Sequence, residues 1–174
     1  MEVIDVIKSR RSTRSFEQRP LPNEVIQDIE SAILSSPSGS NAQESHFVVV
    51  QDQSQIHLIK RFAPGLSGNP AAIVVLCSNG TAALEQGGID TSEVLRFVNL
   101  GIAASYIILA AHSNGVGNCP VRSFHGPSIK RILELPNNVD PELLISLGYS
   151  DTPPRPKTSK EKQEVISHDK YGSN

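Results

Sequence analysis

Apolar residues recur along the chain with two spacings, which predict interleaved helices and strands. Intervals of three and four residues, as in Val25, Ile26, Ile29 and Ile33, place apolar side chains on one face of a helix. Unbroken apolar runs such as 71–77 are typical of strands buried on both faces. The predicted helices cover about residues 3–10, 22–35, 54–60, 92–112 and 127–133, and the predicted strands residues 46–51, 71–77, 116–120 and 142–149.

Residues that favour helix ends support these boundaries. Pro22 and Pro127 suit the first turn of a helix, because that turn does not need their missing N–H. Ser54 is the predicted cap of the short helix that ends at Lys60. The dipeptide 114–115, Asn-Gly, is a typical helix stop.

The predicted helix 92–112 is apolar on most sides. Its longest apolar run, Phe97–Ala111, is shorter than the ~20 residues that a membrane span needs, and Asn99 and Ser105 interrupt it. A helix of this kind lies inside a protein or at a large interface. We therefore expect a buried helix of the core and no membrane span.

Length and composition fit one domain over residues 1–174. The chain is 38% apolar and 20% charged, and its net charge of −2 gives no reason to expect binding to nucleic acid or to membranes. Helices come first and then interleave with strands, which favours an α+β fold with helices covering a sheet. The polar, proline-rich segment from about 151 to 174 has the composition of an arm.

The two cysteines and the N-terminus indicate a reducing compartment. Cys77 and Cys119 form no CxxC pair and no zinc-type cluster, so we expect two buried thiols. The first residues carry two acids where a signal peptide needs a basic start and a long apolar run. We therefore expect a cytoplasmic protein.

Three polar loops are candidate binding segments, and each also has an ordinary structural explanation. Residues 10–14 could bind a phosphate through arginine and serine, or form a solvated basic turn. Residues 37–43 could bind a polyol or a heteroaromatic edge, or only make turns. Residues 115–120 could let a ligand approach the backbone, or simply end a helix.

The usual catalytic signatures are missing from the sequence. No GxSxG, HExxH, GxGxxG or Walker A pattern occurs, and the five histidines are dispersed. Ligand-holding loops without an evident acid, base or nucleophile indicate that a cofactor supplies the reactive atoms.

Taken in order, these segments resemble the nitroreductase family of FMN flavoproteins. The resemblance lies in Arg10, Arg11, Ser12, Arg14 and Phe16, then in Pro37, Ser38, Asn41 and Gln43, and further on in the stretches 99–104, 115–120, 147–150 and 170–172. It implies a three-layer α/β/α sandwich with a mixed, mostly antiparallel sheet. It also implies a homodimer that exchanges C-terminal arms and builds each FMN site from both chains.

The resemblance also implies roles for individual residues. Arg10, Ser12 and Arg14, with Arg11 in the same stretch, would hold the FMN phosphate and the nearby ring edge, and Gly117 would lie near that phosphate. Lys157 or Lys160 of the arm would complete the phosphate site. The partner subunit would supply its copies of Pro37, Ser38, Asn41 and Gln43 along the flavin. Pro120, Val121, Arg122 and Ser123 would pass the flavin face, with the Ser123 N–H on flavin N5.

The implied activity is ping-pong transfer of a hydride from NADH or NADPH, through flavin N5, to a nitroaromatic, quinone or flavin-like acceptor. The sequence departs from the family at two places: Glu44-Ser45 stands where Pro-Trp is frequent, and Arg122-Ser123 where one branch has an acid and a glycine. Three alternatives stay open: an FMN-binding sensor or storage protein, a scaffold that has lost the flavin, and a dehalogenase or flavin-degrading relative.

Overall fold

A four-stranded sheet with helices on both faces forms the centre of the computed structural model, which describes residues 2–173. The helices are α1 Val3–Ser9, α2 Asn23–Leu34, α3 Gln53–Lys60, α4 Gly80–Asp90, α5 Arg96–Ser113 and α6 Gly126–Ile132. The strands are β1 Ser45–Val50, β2 Ala72–Asn79, β3 Gly117–Val121 and β4 Val139–Gly148, in the order β1-β2-β4-β3. All three strand pairings are antiparallel, and a parallel bridge joins Ser12 to Asn118 on the outer edge of β3.

Strand β2 explains the three layers. Its residues point alternately to opposite faces, and both faces are covered, so all but the last are buried. Ala72, Val74 and Leu76 belong to the apolar cluster formed with α2 and α5, whereas Ile73 and Val75 belong to the cluster formed with α3 and α6. The predicted α/β/α sandwich with a mostly antiparallel sheet is thus confirmed.

The cap of α3 differs from the prediction. Asp52, not Ser54, is the N-cap, and its Oδ1 accepts a hydrogen bond from the Gln55 amide at 2.8 Å. The Ser54 hydroxyl also donates to this carboxylate. These two hydrogen bonds lower the pKa of Asp52, because they favour its charged form.

Helix α4 occupies a segment, residues 80–90, for which the sequence predicted neither a helix nor a strand. Asn79 caps it, since its Oδ1 accepts from the Ala82 amide at 3.0 Å. Of its residues only Ala83 is buried, so its sequence carries almost no apolar periodicity. Gly88, with φ 72°, kinks its end, and a π-helical turn at Thr91–Leu95 leads into α5.

Helix α5 packs one side on the sheet and leaves apolar side chains exposed on the other. By length and composition alone, the continuous helical stretch Gly80–Ser113 could cross a membrane, and only 33% of its most apolar window is buried within the chain. Helix α1 is also apolar on its outer face. The exposed apolar side chains of these two helices are Val3, Ile4, Ile7, Phe97, Val98 and Tyr106.

The C-terminal segment lies outside the packed core. Residues 151–173 are exposed throughout and contain a single 3-10 turn, Lys162–Glu164. Val165, Ile166 and Tyr171 are among its exposed side chains. This segment contributes no residue to either apolar cluster of the described chain, 2–173.

Both cysteines are free and buried, as expected. Burial, with the carboxylates of Glu142 and Asp140 nearby, raises the pKa of the Cys77 thiol to about 12. At pH 8 roughly one Cys77 in 10⁴ is then a thiolate.

We therefore expect Ellman's reagent to leave Cys77 unmodified in the folded protein at pH 8. Two thiols per chain should react after unfolding in guanidinium chloride, since the chain has two cysteines. Rapid modification of Cys77 in the folded state, located by mass spectrometry, would contradict this description of the core.

Candidate cofactor site

The basic segment after α1 lies along the edge of β3. The Thr13 amide donates to the Asn118 carbonyl at 2.9 Å, next to the bridge between Ser12 and Asn118. Gly117 packs against this segment so closely that a Cβ there would lie 2.5 Å from the Thr13 hydroxyl oxygen. The structure thus brings the predicted residues Ser12 and Gly117 together, and the glycine is needed for backbone packing.

Arg10 and Arg11 have different surroundings although they are adjacent. The Nη1 of Arg10 is buried and has no hydrogen-bond partner within the described chain, residues 2–173. Arg11 Nη1 instead donates to the carbonyls of Lys8 and Arg10 at 2.7 and 2.8 Å, at the end of α1. Since a buried unpaired donor is costly, Arg10 is the better placed of the two to receive an anion.

A neutral histidine lies beside these arginines. His112, near the end of α5, has its Nε2 2.9 Å from the Ser9 hydroxyl oxygen. Burial, followed by the charges of Arg10 and Arg11, lowers its pKa. At neutral pH the ring is therefore uncharged and adds no further cation to this corner.

Arg14 and Ser123 are joined through one loop. The Gly65 amide donates to the Ser123 carbonyl at 3.1 Å, and a Cβ at Gly65 would lie 2.8 Å from Val121 Cγ1. Further along the same loop, Gly68 has φ +67°, and a Cβ there would lie 2.7 Å from the Arg14 carbonyl oxygen. Loop 65–68 thus fixes the backbone of both predicted segments along β3.

The second predicted loop is held in a strained conformation. Ser40, Asn41 and Gln43 have φ of 53°, 53° and 49°, in a region that residues other than glycine seldom adopt. The backbone N–H of Gln43 donates to Ser38 Oγ at 3.2 Å, and its side-chain Nε2 donates to Asn41 Oδ1 at 2.8 Å. Pro37, Ser38, Asn41 and Gln43 border an open cavity of about 290 Å³ beside α2 and α5.

Two buried polar residues anchor this loop. The Gly39 amide donates to Asn99 Oδ1 at 2.9 Å, and Asn99 Nδ2 donates to Glu44 Oε1 at 3.0 Å. Glu44 and Asn99 are 3% and 4% exposed, so this chain of hydrogen bonds is shielded from water. Sequence reasoning missed both as site residues. The available signals were an acid directly after the loop and an amide within an apolar helix.

A second polar group lies where β3 ends. Pro120 lies on the exposed side of this edge strand, and Arg122 follows the strand with its side chain 68% exposed. Arg122 Nη2 is 3.6 Å from Glu142 Oε2, while Glu142 Oε1 accepts from the Ser78 hydroxyl at 3.0 Å. Arg96 Nη1 of α5 donates to the same hydroxyl oxygen at 3.1 Å. The sequence did not predict that Arg96, Ser78 and Glu142 would meet.

The predicted residues fall into two sets within one chain. Ser12 and Gly117 lie together near the start of the edge strand β3, Pro120–Ser123 lies at its end, and loop 65–68 contacts the backbone of both Arg14 and Ser123. The loop 37–43 forms no hydrogen bond to either group within residues 2–173. Lys157 and Lys160 are exposed in the arm and form no ion pair in the described part of the chain.

The sequence model of the nitroreductase family matches residues 7–78 and 63–149, which together cover the sheet and both sets of loops. The chain belongs to the nitroreductase family. This confirms the membership expected from the motifs, and with it the expectation of an enzyme.

Curated relatives agree with the family match. A putative NADH dehydrogenase/NAD(P)H nitroreductase of Methanothermobacter thermautotrophicus is 30% identical over 157 residues, which is 86% of this chain and 78% of the relative. An FMN reductase [NAD(P)H] of Bacillus subtilis is 29% identical over 186 residues, covering 96% of this chain and 73% of that protein.

Solved structures share the fold. A nitroreductase family protein from Clostridium difficile superposes with a TM-score of 0.86 at 20% identity, covering 98% of this chain and 99% of the other. A hypothetical oxidoreductase of Bacillus subtilis superposes with a TM-score of 0.88 at 24% identity, covering 98% of this chain and 75% of the other. The nitroreductase-family chain therefore has the fold that its motifs implied.

Proposed function

We propose that the chain is an FMN-dependent NAD(P)H oxidoreductase. The observation that carries the proposal is the buried Nη1 of Arg10, which has no hydrogen-bond partner within residues 2–173 and belongs to the same short segment as Ser12, since this is a donor suited to a phosphate oxygen. Family membership supports it, as does the likeness to a relative named an FMN reductase [NAD(P)H]. The residues present therefore fit the phosphate end of FMN.

The phosphate would be held by charge and by hydroxyl donation. Arg10 and Arg14 supply guanidinium groups, and Ser12 adds a hydroxyl, all on a segment fixed against β3. Because Arg11 donates to the end of α1, its contribution should be mainly structural. Lys157 or Lys160 would approach from an arm, which is exposed in the single chain.

The ring would lie past the end of β3. We propose that the Ser123 N–H donates to flavin N5, and that Ser38, Asn41 and Gln43 of the partner subunit lie along the ring. When bound, FMN supplies hydride transfer from NADH or NADPH to a nitroaromatic, quinone or flavin-like acceptor in two separate half-reactions. The protein residues orient the ring, set its electrostatic surroundings and shape the pocket.

The site as proposed needs two copies of the chain. The two loop sets do not meet within one chain, and the apolar outer faces of α1 and α5 are exposed. Burying such faces in a two-fold dimer is favourable, since apolar area is removed from water. We expect light scattering to give twice the 18.8 kDa chain mass, and a monomer that still binds flavin would contradict the shared site.

Two free, buried thiols fit a reducing compartment, so we propose that the protein works in the cytoplasm.

The test is the visible spectrum of the purified protein before and after anaerobic addition of NADH or NADPH. We expect a bound-flavin spectrum that bleaches with at least one of the two donors. A flavin that stays oxidised with both would favour the sensor or storage alternative. A colourless protein that cannot be reconstituted with FMN would reject the proposal.

A further inference from the structure

We propose that Arg122 makes this site select an electron acceptor that carries an anionic group, such as a carboxylate. The inference rests on the proposed function, because it concerns the molecule that would lie over the flavin. It adds the class of acceptor, which the family membership and the fold leave open.

The backbone around Arg122 is fixed, so the fold sets the point from which its side chain extends. Val121 is packed against Gly65, and the Ser123 carbonyl accepts from the Gly65 amide. The Phe124 amide then turns back to donate to the Arg122 carbonyl at 3.1 Å. The residue on each side of Arg122 is thus held by the same short loop.

The guanidinium is oriented but largely unused. It lies 5.2 Å from the centre of the Phe124 ring and 3.6 Å from Glu142 Oε2, which is longer than a charge-assisted hydrogen bond. With 68% of the side chain exposed, most of its N–H groups face solvent. They are free to donate to an anion from solvent.

The local charge balance also favours an anion. The Glu142 carboxylate accepts from the Ser78 hydroxyl, and Arg96 donates to that hydroxyl oxygen. One carboxylate is therefore shared by two guanidinium groups, that of Arg122 directly and that of Arg96 through Ser78. These three charged groups sum to one net positive charge. The Arg96 guanidinium lies 4.4 Å from the centre of the Phe97 ring, and its Nε is buried, so Arg122 is the group that can present this charge to a substrate.

The test compares two acceptors of almost the same shape, anionic 4-nitrobenzoate and neutral 4-nitrobenzamide. The flavin-loaded dimer is reduced with dithionite and mixed with each acceptor in a stopped-flow instrument, so the nicotinamide donor plays no part. The quantity measured is the ratio of the second-order rate constants, anionic over neutral. Added salt should lower this ratio in the wild type, since it screens the attraction.

We expect Arg122→Gln to lower the ratio about fivefold, because one charge-assisted contact is lost. Glu142→Gln should raise it, because a competing carboxylate is neutralised. Arg131→Gln is the matched control: Arg131 is an exposed arginine of α6 that forms no ion pair within residues 2–173, and the ratio should stay the same.

An unchanged ratio in Arg122→Gln, with reduced flavin still oxidised by both acceptors, would overturn this inference and leave the proposed function standing. Reduction of the oxidised flavin by NADH is measured separately, and an effect of Arg122→Gln confined to that rate would overturn the inference too, since Arg122 would then bind the dinucleotide. Failure of the wild-type protein to hold flavin or to reduce either acceptor would reject the proposed function and this inference together.

Discussion

Replacing Arg10 by alanine should weaken FMN binding about 100-fold. The substitution removes a guanidinium whose Nη1 is buried and has no hydrogen-bond partner within residues 2–173. Two charge-assisted hydrogen bonds to a phosphate contribute about 3 kcal/mol together, which corresponds to that factor. The measurement is titration of apoprotein with FMN, followed by the quenching of flavin fluorescence.

Riboflavin, which lacks the phosphate, separates this effect from general damage. The affinity for riboflavin should fall much less than the affinity for FMN in Arg10→Ala, and Arg14→Ala should also weaken FMN binding. Arg11→Ala is the control at the neighbouring position. Its affinity for FMN should fall much less, because Arg11 donates to carbonyl groups at the end of α1. Unchanged FMN affinity in both Arg10→Ala and Arg14→Ala would reject the phosphate site.

Replacing Asn99 by alanine should lower the free energy of unfolding by about 3 kcal/mol. Asn99 holds the Gly39 amide and the Glu44 carboxylate at the same time, and both it and Glu44 are buried. Alanine removes the hydrogen bond from Asn99 to Glu44 Oε1, and Glu44 Oε2 already has no partner within residues 2–173, so the buried carboxylate is left without a side-chain donor. Urea unfolding at matched protein concentration measures the change.

Ser105→Ala on the same helix is the control for Asn99→Ala. Its hydroxyl is exposed and donates only to the Gly101 carbonyl within residues 2–173. The free energy of unfolding should therefore fall by no more than about 0.5 kcal/mol. The double variant Asn99→Ala with Glu44→Gln should recover part of the lost stability, because the buried charge is removed. Equal stability of Asn99→Ala and the wild type would show that the buried hydrogen-bond chain contributes nothing.

The elements that the sequence predicted well are those whose own residues carry the pattern. Strand β2 is an apolar run, and α2 repeats its apolar residues at helical spacing, so both lie close to their predicted bounds. Helix α4 has no such pattern, because it contacts the core through Ala83 and contains two glycines near its end. Its start is fixed by the Asn79 cap, a contact that depends on where β2 stops.

The candidate site divides in the same way. Segments 10–14 and 37–43 could be found because arginines, serines and amides cluster along the sequence. The anchoring pair Glu44 and Asn99 is separated by 55 positions, and Ser78 and Glu142 by 64, so only the folded sheet brings them together. Pairings of this kind depend on strand register, which hydrophobic spacing alone does not fix.

Because Ser40, Asn41 and Gln43 have positive φ angles, selection of variants for heat resistance and selection for turnover should favour different residues in this loop. Each such residue costs about 1 kcal/mol or more, and glycine would relieve it. A screen for heat resistance would therefore favour glycine at all three positions. A screen for turnover would reject it where the side chain lies along the flavin, as proposed for Asn41 and Gln43. Ser40, whose side chain has no proposed contact, is the position where the two kinds of selection agree.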